Sequence, residues 1–560
     1  MATDVTANRP KGPVKLAGQN RIRLVGVGFT VAFLAIAVQL ANLTIFRDAV
    51  VVEDALAEHQ ARIPRPDIID RNGIVIATDI AVASLYADPR KILDVEEAIE
   101  SITAIIPELD SKTLYTKLTQ PNRAFVWLKR QVSPEERDAV YNLGIPGVGF
   151  VNERRRVYPL GRLAAHTVGY VDLDSVGTAG IEKYLDDQGA IYTASLANPA
   201  TQTASPAQIS TDTRVQFALT DEIELAVKKF NAIAGGGIVI DITTGEIVAL
   251  VSLPDFNPNQ EDKKFSKQQA NMMTSGVFEL GSVIKAVTFA MAFDYGVTDL
   301  NGSYDATRPL VIGNASISDY HALRRVLTVP EIFTNSSNIG TAKMALEVGV
   351  AGHQEFLRRV GLFDRLTTEV PESAKPLLPR NWSRLATATA AFGHGFAVQP
   401  LQGISVIGGL LNDGVMTAPT FLKRDVAEAQ VLAKRIVKPE TSEKMRYLFR
   451  LNVTEGTASK ANVIGYRVGG KTGTAEKVVN GRYASDRLLN SFIGAFPMDA
   501  PKYAIIVMLD EPKATPETYG FATAGWNAVP TAGKIIERIA PLLGVAPKFT
   551  PEEPAKLAEK

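Results

Sequence analysis

Three short motifs carry side chains that together could perform acyl transfer. Ser282-Val283-Ile284-Lys285 is a Ser-x-x-Lys, Ser336-Ser337-Asn338 a Ser-x-Asn, and Lys471-Thr472-Gly473, followed by Thr474, a Lys-Thr-Gly; each pattern occurs once, in this order. A serine hydroxyl is a poor nucleophile at neutral pH and must lose its proton to a neighbouring base. Residues i and i+3 of a helix share a face, so the spacing predicts the Lys285 amine beside the Ser282 hydroxyl. Lysine can be that base if it is held neutral, which burial among Val283, Ile284, Ala286 and Val287 and a second cation such as Lys471 both favour. A helix N-terminus at Ser282 would turn its N–H groups toward a developing oxyanion, and a strand N–H near Thr474 would add a second donor. Lys471, Thr472 and Thr474 combine positive charge with hydroxyls, which suits a substrate carboxylate. Asn338 can hold a peptide amide, and Ser336 can relay a proton between Lys285 and a leaving amine. Any one motif alone reads as a helix cap or a strand end; their order and their elements make them a set.

Those elements can be read from periodicity. Val215, Leu219, Ile223, Ala226 and Phe230 recur at three- and four-residue steps and predict an amphipathic helix. The run "GGIVIDITTGEIVALVS" over 236–252 is a hairpin about a Thr-Thr-Gly turn. Three more strands come much later: "YRVGGKTGTAEKVV", "RLLNSFIGAFP" after an Asn480-Gly481 turn, and "YAIIVMLDE". A helical pattern over 525–543 follows, then a charged, proline-containing tail over 546–560 that is expected to be disordered. The long stretch between the second and third strands is mostly helical. The expectation is an α+β domain over 211–545: about five antiparallel strands flanked by helices, with a helical insertion that meets the Lys471 strand in a cleft.

Upstream, 47–192 mixes short strands and helices with turns at "DRNG" (70–73) and "NLGIPGVG" (142–149), and "YTASLANPATQTASPAQIST" (192–211) reads as a linker. This predicts a mixed α/β domain over 47–210. The run "ERRR" at 153–156 reads as a solvated or salt-bridged face. From Leu24 to Phe46 the chain carries no charge and is long enough as a helix to span a bilayer. Arg9, Lys11, Lys15, Arg21 and Arg23 precede it against Asp4 alone, which predicts residues 1–23 in the cytoplasm, an uncleaved anchor, and everything after it outside.

Composition narrows the classes further. Lys+Arg and Asp+Glu balance at 60 each, which argues against a nucleic-acid surface. The absence of cysteine removes disulfides, thiolate metal sites and cysteine nucleophiles, and suits an oxidising compartment. His59, His166, His321, His353 and His394 lack ligand-like spacing, so no metal or other cofactor is expected.

The three motifs together form the signature of penicillin-binding proteins and serine β-lactamases. The chain resembles a class B penicillin-binding protein of the division-specific type, penicillin-binding protein 3. The likeness includes "RPDIIDRNG" (65–73), "YPLGRLAAHTVGYVD" (158–172) and "GTAGIEKYLD" (177–186) in what would be the pedestal. It continues through "TTGEIVALVSLPDFNPN" (243–259), "FGHGFAVQPLQ" (392–402) and "GKTGTAEK" (470–477) in what would be a β-lactamase-like transpeptidase domain. Leu280 stands where proline is usual, Pro66 where glycine is usual, and Gln399 where threonine is common. The resemblance implies a peptidoglycan D,D-transpeptidase at the inner membrane and septum, with Ser282 attacking a D-Ala-D-Ala stem peptide and β-lactams acylating the same serine. It implies a polytopic glycosyltransferase and other division proteins as partners. The alternatives are an elongation-type transpeptidase, a membrane-bound β-lactamase, and a non-catalytic scaffold. A bifunctional synthase would need a glycosyltransferase domain before residue 210, and no acidic motif for one is found there.

Overall fold

Helix α1 (Lys15–Ile45) is continuous across the apolar run, and its Arg23–Leu40 window has a mean hydropathy of 1.9 with every side chain exposed. It is the one helix among the described residues that is long and apolar enough to cross a membrane. The computed structural model describes residues 15–45, 65–120, 122–189, 205–260, 269–479 and 481–550. Outside these lie the expected tail before Lys15, Phe46, the start of the 47–210 domain, most of the 192–211 linker, Asn480, and the C-terminal tail from 551.

Two compact units divide the chain. In the smaller, residues 83–87 pair antiparallel with Val126–Val132. Three helices pack around them: Val95–Ile105 capped by Asp94, Ser111–Leu118 capped by Asp110, and Pro134–Asn142 started by a Ser133/Glu136 capping box. Leu85, Ile102, Leu114, Leu128 and Val140 form its core.

The larger unit contains residues 65–79 and everything described from Arg156 onward. Its upstream part is tied by buried charge. Glu182, 0% exposed, accepts from Arg65 Nε at 2.9 Å and from Arg156 Nε at 2.6 Å. Arg156 also reaches Asp79 at 3.1 Å and donates to the Pro66 carbonyl at 2.8 Å. The last residue of the "ERRR" run is thus a buried ion-pair member. Glu182→Ala would leave two buried guanidiniums short of their shared carboxylate, and removing one partner of such a cluster costs about 3–5 kcal/mol. A lowered thermal unfolding midpoint is the expected result. In the "DRNG" turn, buried Asp70 accepts from Asn72 N (2.7 Å) and Ile74 N (2.9 Å), and its other oxygen takes the Thr213 hydroxyl (2.9 Å). The turn is thereby pinned to the start of α2 (Thr213–Lys229).

The rest of this unit has the expected α+β architecture. In chain order come β1 (Ala234–Asp241), β2 (Ile247–Leu253), α3 (Lys285–Asp294), α4 (Asn338–Arg359), α5 (Pro400–Leu411), α6 (Pro439–Thr454), β3 (Gly469–Val479), β4 (Arg482–Phe496), β5 (Tyr503–Asp510) and α7 (Ala528–Leu542). The five strands form one antiparallel sheet ordered β3-β4-β5-β1-β2. Strand side chains alternate between faces, and here both faces are covered. Val239, Ile505 and Val507 pack with Leu219, Ile223, Ile535 and Ile539 of α2 and α7. Ile238, Ile240, Ile506 and Met508 face the insertion, joining Phe289 of α3 and Leu410 of α5. β3 is an edge strand, so alternate backbone groups are left for whatever packs beside it. What packs there is the Ser282 turn.

Candidate active site

The Ser282 turn is held against β3 by contacts too close for side chains. Gly281-Ser282-Val283 forms a single 3-10 turn, and α3 begins only at Lys285. A Cβ on Gly473 would lie 2.4 Å from Ser491 Oγ and 2.7 Å from the Leu280 carbonyl. The glycine of Lys-Thr-Gly is therefore required for the approach of strand to turn. On the other side, a Cβ on Gly393 would stand 2.1 Å from the Gly281 carbonyl oxygen. The segment "FGHGF" thus closes the back of the nucleophile turn.

Ser336 is the hub. It sits at φ +59°, between helix Val329–Thr334 and α4, in a conformation few non-glycine residues adopt. Lys285 Nζ donates to its carbonyl and, at 3.0 Å, to its hydroxyl oxygen, which also accepts from Lys471 Nζ at 3.0 Å. Both amines are fully buried. Burial, and then the nearby Lys471 charge, push the Lys285 amine well below the usual lysine range, against the opposing pull of Asp319. Burial lowers Lys471 to about 7.

Of the eight residues singled out by motif, Lys285, Ser336 and Lys471 are joined directly. The i, i+3 spacing predicted a Ser282–Lys285 contact, but the lysine amine is spent on Ser336, because the 3-10 turn and the αL serine bring Ser336 to it first. Ser282 is half-buried and makes no side-chain hydrogen bond among the described residues. Asn338 Nδ2 donates to the Ser318 carbonyl at 2.9 Å. Thr472 Oγ1 lies 3.0 Å from Thr457 Oγ1, and Thr474 Oγ1 accepts from Ala524 N at 3.1 Å.

Several residues around the site lie outside the three catalytic motifs. Asp319 accepts from Ser337 Oγ (2.7 Å) and Ile339 N (2.9 Å), fixing the start of α4 and hence the Ser336 turn. His394 is held to about 4 by burial first and by Lys285 second, so it is neutral at physiological pH. Glu279 takes Gly395 N at 3.1 Å and the Tyr483 hydroxyl at 3.2 Å, and burial raises its pKa. Asp319 has no sequence signal, since its partners lie beyond any local window.

Two of the three departures from the family pattern find reasons here. Leu280 has φ −74°, an angle proline would share, and its side chain fills the notch left by Gly403 on α5. Gln399 reaches away from its helix to Ser373 Oγ at 2.8 Å and to the Ala374 carbonyl. The Pro66 carbonyl accepts from Arg156, as any residue's would, and nothing in the structure explains proline there.

Comparison with known proteins gives the family. The family model described as penicillin binding protein transpeptidase domain matches residues 235–536, and that of the penicillin-binding protein dimerisation domain matches 61–188. The chain is 39% identical over 493 residues to a probable peptidoglycan D,D-transpeptidase FtsI of Caulobacter vibrioides, covering 86% of this chain and 82% of that protein. It is 35% identical over 507 residues to a probable peptidoglycan D,D-transpeptidase PenA of Neisseria gonorrhoeae, covering 86% and 85%. The solved structure of penicillin-binding protein 3 from Mycobacterium tuberculosis, in complex with aztreonam, shares the fold with a TM-score of 0.66 at 23% identity, over 87% of this chain and 97% of that one. With both family models matched and relatives of this identity along most of its length, the chain belongs to the class B penicillin-binding proteins, the peptidoglycan D,D-transpeptidases of the FtsI type.

Proposed function

We propose that the chain cross-links septal peptidoglycan through an acyl-enzyme on Ser282. The observation that carries this reading is the meeting of two buried lysines on one serine oxygen beside the Ser282 turn. Two amines so placed cannot both hold a full charge, and burial together with the Lys471 charge disfavours the cation on Lys285. Neutral Lys285 takes the Ser282 proton as Oγ attacks the penultimate D-Ala carbonyl, while Lys471 keeps the positive end. Backbone N–H groups at the turn and on β3 receive the oxyanion. The C–N bond breaks, D-alanine leaves as the amine, and Ser336 passes it the proton from Lys285. An amine from a neighbouring stem peptide then attacks the ester, forms the cross-link and returns the proton to Ser282. Asn338 would hold the donor peptide amide. Lys471, Thr472 and Thr474 would hold the terminal carboxylate, with Gly473 giving the backbone access. β-Lactams carry a carboxylate and a strained amide in the same relation and acylate the same serine.

Acylation by a fluorescent penicillin tests the lysine assignments without an acceptor amine. The rate should follow a bell in pH, because Lys285 must be neutral and Lys471 charged. It falls on the acid side as Lys285 gains its proton, and on the alkaline side as Lys471 loses its own near pH 7. These are apparent values of the coupled pair. A rate that keeps climbing well above neutrality would remove Lys471 as the required cation.

The division role is supported by the FtsI relatives, and the membrane anchor by the one long apolar helix among the described residues, which follows a basic segment. In this reading the N-terminus is cytoplasmic, the catalytic domain is periplasmic, and a polytopic glycosyltransferase of the division machinery supplies nascent glycan. Depletion in the native cell should give smooth filaments. Rounded or swollen cells would assign the chain to elongation instead.

A further inference from the structure

A second cavity, of about 170 Å³, lies in the larger unit and shares no residue with the Ser282 cleft. It is bounded chiefly by His166, Tyr170, Gly180, Phe256, Asn271 and Glu372. Asn271 is 5% exposed, and its Oδ1 accepts from Met273 N at 3.0 Å, which fixes the orientation of the amide. Its Nδ2 is then left buried with no acceptor. A buried donor in that state is costly unless something supplies the acceptor. Opposite in demand is the Glu372 carboxylate, which takes Gly180 N at 3.2 and 3.3 Å and makes no ion pair among the described residues; burial raises its pKa, against a smaller opposing pull from the Lys183 charge. Part of the lining is aromatic. Phe256 meets the rings of His166 at 5.1 Å and Tyr170 at 5.8 Å, both edge-on. His166 Nε2 is spent on the Gln269 carbonyl at 2.7 Å.

One donor without an acceptor, one carboxylate without a direct ion pair among the described residues, and a ring surface lining the same cavity describe the complement of a zwitterion. The size points the same way. A single water needs roughly 10–15 Å³ by the same measure, and drug-sized sites run from about 300 Å³, so the space suits a molecule of a few heavy atoms. We propose that this cavity binds a small free α-amino acid, its ammonium on Glu372 against Phe256 and its carboxylate on Asn271 Nδ2. The aromatic face and the carboxylate both favour the cation, and bound ammonium would relieve the desolvation of Glu372.

The test uses the full chain in detergent with Ser282 already acylated by penicillin, so that the cleft is occupied, and titrates D- and L-alanine separately by calorimetry. Saturable 1:1 binding of either enantiomer is expected. Asn271→Asp keeps the acceptor for Met273 N but removes the donor, and Glu372→Gln removes the charge; each should weaken binding at least tenfold. Acetate and methylammonium, each half of the zwitterion, should bind at least tenfold more weakly than alanine. No saturable binding of either enantiomer, or binding that both variants leave unchanged, would overturn the proposal. Both variants should keep the wild-type penicillin acylation rate, which reports on the fold and on the Ser282 chemistry separately. Should a variant lose it, diffraction from wild-type crystals soaked in alanine decides: the amino acid between Asn271 and Glu372 supports the site, and ordered water alone refutes it.

Discussion

Lys285→Met should abolish most of the acylation activity and at the same time make the protein more stable. The side chain is fully buried, and its amine is pushed well below the usual lysine range by burial and by Lys471. In the unfolded chain the same amine is protonated, so folding at neutral pH must strip or bury that charge. Methionine has the length and flexibility to fill the space without this penalty. One offsetting loss is the hydrogen bond to the Ser336 carbonyl, worth about 1–3 kcal/mol if that acceptor is left unpaired. Relief of the amine's desolvation outweighs that loss, so the thermal midpoint should rise. Penicillin acylation should fall by about 10²–10⁴-fold, the usual contribution of a positioned base. Such opposed effects mark a site held against stability for its chemistry.

A lysine whose folded pKa is depressed leaves the folded state with fewer protons than the unfolded one between the two values, so stability increases with pH across that window. For Lys471 the window runs from about 7 to the ordinary 10.5. Wild-type thermal midpoints should climb through it, and Lys471→Met should flatten the slope.

Gly393→Ala is the second large effect. The residue holds φ +85°, and a Cβ there would lie 2.1 Å from the Gly281 oxygen and 2.7 Å from the Gly281 carbonyl carbon. Backbone, not a flexible side chain, must move, and the backbone that moves carries Ser282. A misplacement of about 1 Å at a reacting group costs on the order of 10²-fold in rate, so acylation should drop by at least that much. Gly395→Ala is the matched control. Its φ is +86°, but the nearest atom to its Cβ is Thr389 Oγ1 at 3.5 Å. It should suffer only the left-handed backbone penalty of about 1–2 kcal/mol and keep acylation within a few-fold. Equal losses in the two variants would show that the Gly281 contact does not position the nucleophile.

The sheet was legible in the sequence because alternation and turn chemistry are local. The hairpin about Thr-Thr-Gly and the three later strands fall where the β-rich runs do, from Ala234–Asp241 to Tyr503–Asp510. The motif order was legible for the same reason. What the sequence could not carry was pairing across the fold. The i, i+3 rule places Lys285 on the right face but is silent on Ser336, fifty-one positions away, which takes the amine. Asp319 and Gly393 act through contacts with distant backbone, and His394 is buried where it feels the Lys285 charge; no period or spacing announces these relations. Leu280 looked anomalous beside the family pattern until its partner, Gly403, was in view.

Whether Ser282 is the nucleophile is tested most directly by mass spectrometry of the intact chain after penicillin treatment, followed by peptide mapping. One stable penicilloyl adduct is expected, located on the peptide containing Ser282 and absent from Ser282→Ala. An adduct on another residue, no adduct at all, or rapid release of hydrolysed drug would contradict the assignment.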